Sequence, residues 1–439
     1  KETCYAEMME KSVKWAMWLK KEGVLRGDII GICTDNHLDS YIPLFGTMYV
    51  AAIANTWDYE LSIASAKNYL SLTSPKIVLI NAASAKNLAE AAKQLKKNVK
   101  IVTYGQLEGY QSLDDILKID CSKQEMEDFE CEEICRPDST AIIVSSSGTT
   151  GFPKGTELSH SAMINYMFHT DVHNLEGHIS MWTPTLRWYC GLFVVVLAVL
   201  QYSKRVVVPD YDDDDLLCQY IEKYKVSWMR SDACFPIRLV KFHELKNYTL
   251  PSLKVLLYGL QTRLNFHKRK PVPLVSGLTD LGGQCTCQAK ISEPGSCGFV
   301  GSTVRVKVVD RTTGEILGAN QTGEILTKSS YMMNCYHNNP EATAKALDSE
   351  GWLHTGDIGY YDKNGEIFLV ERLSDFINHR GINVSPAEIE AVLQSHPGVL
   401  EAAVIGVPHE IEEEHFLEKL PRTSTGKVAK LELKKLAVQ

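Results

Sequence analysis

Apolar positions along the first hundred residues switch repeatedly between two periods. Tyr5 to Glu22 carries them at helical spacing and Gly23 ends the run; Ile29 to Cys33 (IIGIC) is then a short β-branched stretch of the kind that forms a buried parallel strand. The alternation repeats. Leu44 to Ala52 predicts a helix leading into Ile53-Ala54-Asn55, Ile63 to Leu72 another helix, Ile77 to Ile80 (IVLI) a buried strand, Ala82 to Lys97 a helix and Lys100 to Thr103 a strand. Strands and helices in this order predict right-handed crossovers and an α/β fold, a mainly parallel sheet with helices on both faces.

Between Leu107 and Asp138 the pattern dissolves into acidic, polar sequence (SKQEMEDFECEEICRPDS), expected as a surface connection with a solvated charged face. It resumes with a strand at Ala141 to Val144 and a helix at Ser159 to His169. The most apolar run, Tyr189 to Leu200 (YCGLFVVVLAVL), is well short of the roughly 20 residues that span a bilayer, so a buried helix or strand is expected there and no transmembrane segment. Arg205 to Pro209 predicts a strand. The acidic run Asp212 to Asp215 precedes the helical stretch Leu216 to Tyr224, where carboxylates stabilise the positive helix end by about 0.3 to 1 kcal/mol each. Capping is therefore favoured over a metal site.

Towards the C-terminus the pattern changes again. Asp362-Lys363-Asn364-Gly365 between Tyr360-Tyr361 and Ile367 to Val370 predicts a β-hairpin. Ser385-Pro386-Ala387-Glu388 has the cap, first-turn proline and capping-box acid of a helix running from Ile389 to Gln394, and Leu400 to Val407 reads as a strand. From about Leu373 a smaller α+β domain is expected.

Composition bounds the rest. At 439 residues the chain exceeds the roughly 250 to 300 that one core supports, so at least two domains are expected. With 44% hydrophobic and 23% charged residues there is no compositional case for collagen, coiled coil or wholesale disorder. A net charge of −8 gives no long-range attraction for nucleic acid or anionic lipid, while a local basic cradle for a small phosphate remains compatible with it. The 12 cysteines are scattered without zinc-site spacing and fit free thiols in a reducing compartment. The opening KETCYAEMMEKSVKW is charged throughout, so it is not expected to be a signal peptide, and the absence of an initiator Met suggests a trimmed sequence.

One stretch carries most of the chemistry: Ser145-Ser146-Ser147-Gly148-Thr149-Thr150-Gly151-Phe152-Pro153-Lys154-Gly155. Placed between a buried strand and a helix, such a loop lets backbone N–H groups and hydroxyls close around phosphate oxygens while one ammonium adds charge. It does not fit the G-x-x-x-x-G-K-[ST] loop, and the fixed Pro-Lys-Gly argues against a Ser/Gly linker.

Here the chain resembles the adenylate-forming superfamily of acyl- and aryl-CoA ligases, adenylation domains and insect luciferases, over nearly its whole length. Ser146, Ser147, Gly148, Thr149, Thr150, Gly151 and Lys154 resemble its phosphate-loop signature. Ser276, Gly277, Leu278, Thr279 and Asp280 resemble the element whose Thr and acid contact the α-phosphate and Mg²⁺. Trp352 to Asp357 resembles the ribose motif, with Asp357 accepting from both ribose hydroxyls; Arg372 resembles the Arg that also reaches the ribose and ends the large domain. Pro421 to Lys427 resembles the C-terminal signature whose Lys enters the site for adenylation. The resemblance thus implies an adenylation domain over residues 1–372, a hinge at Leu373-Ser374-Asp375 and a small mobile domain over 373–439.

It also implies the reaction. A carboxylate attacks the α-phosphorus of ATP in line, pyrophosphate leaves, and the acyl-adenylate is consumed by the thiol of coenzyme A or, in luciferases, by O₂. Lys427, Lys154 and Mg²⁺ offset charge that builds on phosphate oxygens.

Several positions depart from the family. Arg187 stands where a His near the substrate carboxylate is usual, and a guanidinium can pair with a carboxylate but cannot act as a base. Ser276 replaces an aromatic that stacks on adenine. Tyr258-Gly259-Leu260-Gln261 replaces a Gly-Gly-Ala stretch, which predicts a narrower acyl pocket, and Asn378 replaces a Lys associated with thioester formation. Three readings follow: an acyl-CoA ligase for a fatty or aryl acid, an insect luciferase, and a nucleotide-binding protein without catalysis. Cytoplasm and peroxisome are both compatible with the sequence.

Overall fold

The computed structural model describes residues 2–146, 153–169, 175–208, 213–231, 235–236, 239, 248–259, 274–288, 293 and 295–373. Beyond these it describes 377–379, 382–384 and scattered positions as far as 433. The chain enters through α1 (Tyr5–Lys21), β1 (Ile29–Cys33), α2 (Ile42–Tyr49), β2 (Ile53–Trp57), α3 (Ile63–Thr73), β3 (Ile77–Asn81), α4 (Ala82–Leu95) and β4 (Lys100–Tyr104). Each lies where the alternation of periods places it.

A short β5 (Gln111–Ser112) follows, then α5 (Leu113–Leu117), α6 (Lys123–Glu127), β6 (Thr140–Ser146), β7 (Lys154–Ser159) and α7 (His160–His169). The two short helices fall inside the acidic stretch that was expected to be irregular. Serine caps explain them: Ser112 accepts from the amide of Asp115, and Ser122 with Glu125 forms a capping box. Leu113 and Ile116 of α5 are buried, whereas the acidic segment beyond α6 is mainly exposed.

The middle of the chain forms β8 (Ile179–Trp182), α8 (Tyr189–Leu200), β9 (Lys204–Val206), α9 (Asp214–Tyr224), β10 (Trp228–Ser231) and β11 (Val255–Gly259). Asp213 caps α9 by accepting from the Leu216 amide, and Asp214 and Asp215 occupy its first turn, as the capping reading of the acidic run expected. After these come β12 (Leu274–Leu278), β13 (Gly283–Cys287), β14 (Gly298–Val300), β15 (Val304–Val309), β16 (Gly323–Ser329), β17 (Cys335–Tyr336), α10 (Pro340–Ala346), β18 (Leu353–Tyr361) and β19 (Glu366–Arg372). The predicted Asn-Gly hairpin joins β18 to β19, with Gly365 at a φ of 87°. A ribbon of β20 (Ile377–His379) and β21 (Ile382–Val384) follows.

The strands make two large sheets. One runs β17-β7-β6-β2-β1-β3-β4-β5; it is parallel from β6 to β5, while β7 and β17 join antiparallel. The other runs β15-β16-β18-β19-β14-β13-β12-β11-β10-β8-β9, parallel from β9 to β12 and antiparallel from there on. The architecture is thus α/β with large parallel sheets. In its antiparallel half, β12 with β13 and β18 with β19 are joined by short turns that leave no room for a crossover helix, whereas β17 and α10 lie between the paired strands β16 and β18.

The largest core cluster lies between the two sheets. It joins Ile142, Val144 and Leu158 of the first to Trp182, Trp228 and Leu257 of the second through Leu192, Phe193 and Val195 of α8. Being apolar on nearly every side, α8 is buried almost throughout, which settles the Tyr189 to Leu200 run as a helix. Among the described residues no helix is long and apolar enough to cross a membrane.

In the C-terminal segment, positions 389, 390 and 393 are helical as expected, but the capping residues Ser385 and Glu388 lie outside the described residues. The strand expected over Leu400 to Val407 is not formed at the described positions 402–406. A β-branched run makes a strand only where a neighbour completes its ladder, and no described strand pairs with these residues. The 11 described cysteines are free thiols, as their spacing suggested.

At one contact the helices approach closely enough to need glycine. A Cβ at Gly46 of α2 would sit 2.5 Å from the Ser12 carbonyl oxygen and 2.6 Å from Trp15 Cδ1 of α1. Gly46→Ala is therefore expected to destabilise the protein by about 1–3 kcal/mol through overpacking. Urea unfolding checks this, and an unchanged midpoint would show that α1 moves freely away from α2.

Candidate active site

The Ser/Gly-rich loop begins and ends on neighbouring strands. β6 and β7 are antiparallel, with Ser145 opposite Gly155 and Ser146 opposite Lys154. This corrects the strand-to-helix placement: the loop joins two strands, and the helix starts only at His160. The strand is hard to read from sequence because Thr156-Glu157-Leu158 holds one large apolar residue, yet Gly155, Thr156, Leu158 and Ser159 are all buried. Ser147, Gly148, Thr149, Thr150 and Gly151 lie outside the described residues, as do Leu260 and Lys427.

Lys154 opens β7, its ammonium 4.5 Å from the centre of the Tyr336 ring. Tyr336 belongs to β17, which adds to the edge of β7 with Tyr336 opposite Thr156. Both converge on Asp280, in the turn between β12 and β13. The Tyr336 hydroxyl donates to Asp280 Oδ2 at 2.6 Å and the Thr156 hydroxyl to Oδ1 at 3.0 Å. Removal from water raises the Asp280 pKa, while those two hydrogen bonds and the charges of Lys154 and Arg372 pull it back. Residues from two sheets and a connecting turn thus act on one carboxylate.

Asp357 and Arg372 are also brought together, and more directly than the sequence suggests. They are ladder partners on β18 and β19, with Arg372 Nε 2.8 Å from Asp357 Oδ1. Asp357 is thus a strand residue, not a turn residue, and Arg372 is the last residue of its strand. Beyond the pair, the Leu373 amide donates to the Gly356 carbonyl at 2.8 Å.

Gly277 and Leu278 end β12, with a register shift between Ser276 and Gly277, and Thr279 opens the turn whose Gly282 amide donates to its carbonyl. A Cβ at Gly277 would fall 2.1 Å from the Tyr189 hydroxyl, so only glycine fits beneath that ring. The side chains of Ser276 and Tyr258 lie outside the described positions; the backbones of Tyr258 and Gly259 pair β11 with β12.

Arg187 already has a partner. Its Nη1 lies 3.1 Å from Asp58 Oδ2, and both side chains are buried, 7% and 8% exposed. The carboxylate that meets Arg187 here belongs to the protein. Tyr69 feels both charges and the Ser145 hydroxyl, which sets this pair near the end of β6.

Sequence reasoning missed Thr156, Tyr336, Asp58 and Tyr189. Tyr336 had a faint signal, since Asn339-Pro340-Glu341 marks the start of a helix just beyond it. Which strand it would join had none.

Among the described residues no three His, Cys, Asp or Glu side chains gather as a metal cluster. Asp280 offers a different donor set: one carboxylate, each oxygen holding a single protein donor. That suits a hard cation taking its remaining ligands from phosphates and water.

Residues 1–337 match the family model described as AMP-binding enzyme, and residues 388–417 the model for the AMP-binding enzyme C-terminal domain. A luciferin 4-monooxygenase of Nipponoluciola cruciata is 31% identical over 426 residues, covering 92% of this chain and 77% of the relative. A 4-coumarate-CoA ligase of Narcissus pseudonarcissus is 28% identical over 458 residues, covering 98% and 81%. Among solved structures, the luciferase-like enzyme from the nonluminescent mealworm Zophobas morio matches with a TM-score of 0.78 at 27% identity over 86% of this chain and 90% of the other. An anthranilate CoA ligase in complex with anthranoyl-AMP shares the fold with a TM-score of 0.87 at 21% identity, covering 100% and 93%. The chain belongs to the AMP-binding enzyme family, in the luciferase-like and acyl-CoA ligase branch of the adenylate-forming superfamily.

Two measurements probe the arrangement. Tyr336→Phe removes a hydrogen bond that favours ionised Asp280, so the carboxyl pKa should rise further and the acid limb of the adenylation pH profile should move to higher pH. An unmoved limb would show that Asp280 is not the titrating group. Asp58→Asn removes a carboxylate charge from beside a buried guanidinium and should cost about 3 kcal/mol, most of it recovered when Arg187→Met is added. Urea unfolding of the double-mutant cycle reads the coupling, and additive losses would deny it.

Proposed function

We propose that the protein activates a fatty or aryl carboxylic acid with ATP and transfers the acyl group to coenzyme A, in the cytoplasm or peroxisome. The observation that carries the reading is the convergence of Lys154, Asp280 and the Asp357–Arg372 pair, electrostatically linked because Arg372 acts on both Asp280 and Tyr336. Such a set offers cationic and acidic groups for a triphosphate, a divalent ion and a ribose.

In this reading Ser146, the loop residues Ser147 to Gly151, and Lys154 hold the β- and γ-phosphates. Gly277, Leu278 and Thr279 line the α-phosphate, Ser276 lies toward the adenine, and Asp280 would hold Mg²⁺, which when bound supplies a hard positive charge to phosphate oxygens. Asp357 accepts from the ribose hydroxyls while Arg372 orients it. Tyr258, Gly259 and Leu260 line the acyl pocket. Residues 1–372 form the adenylation domain and 373–439 the small domain, which delivers Lys427.

The chemistry asks for position and charge, not for a protein nucleophile. The carboxylate oxygen attacks the α-phosphorus as the bond to pyrophosphate breaks, and Lys154 and Lys427 stabilise the added charge. The thiol of coenzyme A then attacks the acyl carbonyl and AMP leaves. Arg187, its charge matched by Asp58, serves as a fixed hydrogen-bond donor near the acid.

The 4-coumarate-CoA ligases among the relatives support transfer to coenzyme A. The luciferin 4-monooxygenase relatives support a second reading, in which O₂ consumes the adenylate of a luciferin. The likeness to a luciferase-like enzyme of a nonluminescent mealworm favours the ligase.

Exchange of radiolabelled pyrophosphate into ATP across a panel of fatty and aryl acids tests the first step. Acid-dependent exchange followed by thioester formation is expected; light with a luciferin and no thioester would select the second reading, and no exchange with any acid would overturn both. Lys427→Ala should lower exchange by about 100-fold or more while ATP affinity stays within a few-fold. Loss of ATP binding would reassign Lys427.

A further inference from the structure

Several buried donor groups on one face of the larger sheet have no acceptor among the described residues. Arg230 of β10 is the ladder partner of Trp182 of β8, and the guanidinium of Arg205 of β9 lies 4.0 Å from the Trp182 ring and 4.4 Å from the Tyr41 ring. Ladder partners, and residues two apart on a strand, project to the same face. Here that face packs towards α8. Among the described residues Arg230 Nη1, Arg205 Nε and Nη2, and Trp182 Nε1 are all buried without a hydrogen-bond partner.

Arg230 is only 5% exposed. The groups acting on it are the Cys190 thiol, with which it shares a side-chain hydrogen bond, and the phenols of Tyr166 and Tyr189; Arg205 is acted on by Tyr5. Burial pushes the pKa of Tyr166 and of Tyr189 above the ordinary phenol value, so both are uncharged at neutral pH. Among the described residues neither arginine has a carboxylate partner, in contrast to Arg187 with Asp58. A buried guanidinium without counter-charge is strongly unfavourable, and the missing group is an acceptor.

The location suits a substrate. Trp182 is the last residue of β8 and Arg230 the last but one of β10, at the carboxyl ends of parallel strands where open α/β sheets bind ligands. Tyr189, beside Arg230, reaches Gly283 with its hydroxyl and covers Gly277. Yet Arg230 stands to one side of the phosphate end, because β11 separates its strand from β12, which leads into the Asp280 turn.

We propose that Arg230, with the Trp182 indole N–H and Arg205 completing the donor set, binds a second carboxylate at the far end of the acid that the enzyme activates. The inference rests on the adenylation reading and names its substrate class: a dicarboxylic acid. A site built around an unpaired buried cation rejects the analogue that lacks the anion, because that analogue leaves the cation buried and unmatched.

The test is pyrophosphate exchange with matched pairs: hexanoate against adipate, octanoate against suberate, and cinnamate against 4-carboxycinnamate. At least one diacid should exceed its monoacid partner in kcat/KM by about 100-fold or more with the wild-type protein. Arg230→Met should abolish the preference and Arg230→Lys keep part of it. Without ligand, Arg230→Met should unfold at the same or a higher temperature than wild type, since it removes an uncompensated charge; a structural role would lower that temperature. Equal use of every pair, or an unchanged ratio in Arg230→Met, overturns the proposal.

If no acid supports exchange, the adenylation reading fails on its own and the pocket is read by thermal shift with suberate and 4-carboxycinnamate. Stabilisation of wild type but not of Arg230→Met supports the anion site, and stabilisation of both or of neither overturns it.

Discussion

The junction of the two large sheets is organised around one carboxylate held back from bulk water. Burial disfavours the charged form of Asp280, and four groups oppose that penalty: hydroxyls from Thr156 and Tyr336 and the cations Lys154 and Arg372. They come from strands far apart in sequence, so the charge can be held only when both sheets are in place. The antiparallel strands β7 and β17, added to an otherwise parallel sheet, bring three of the four to bear. The cross-strand pair of Asp357 with Arg372 sets the direction from which the fourth acts.

Much of the fold was legible because its signals are local. The buried parallel strands β1 and β3 stand out as β-branched runs, and α1, α3, α4 and α9 as apolar positions at helical spacing, with ends fixed by side chains such as Ser62, Asn81 and Asp213. The elements that were not legible depend on partners. β7 is a strand because β6 and β17 complete its ladders; Leu400 to Val407 has the right residues, but its described positions have no such neighbour. The short helices α5 and α6 show the reverse failure, since their serine caps were present in an acidic stretch that was read only for its charge.

The site divides in the same way. Lys154, Asp280, Asp357 and Arg372 were found through motifs that are continuous in the chain. Their partners Thr156, Tyr336 and Asp58 were not, because a hydrogen bond or ion pair between residues 56, 124 or 129 positions apart leaves no mark on either local sequence. Arg187 is the clearest instance. As a sequence position it invites a substrate carboxylate; in the fold Asp58 already faces it, and the buried cation lacking a described carboxylate partner is Arg230, which no motif singled out.

The pairing of Ser146 with Lys154 has one more consequence, in the currency of chain entropy. The ladder between β6 and β7 clamps the two ends of the intervening loop, so the freedom lost in bringing them together is offset by strand pairing before any ligand arrives. Closure cost grows only with the logarithm of length, and doubling such a loop adds about 0.6 kcal/mol. Fold stability is therefore nearly indifferent to how long this loop is, whereas any role in ligand binding is not. Lengthening it is a perturbation that separates the two, leaving a folded chain in which only the reach of its backbone amides has changed.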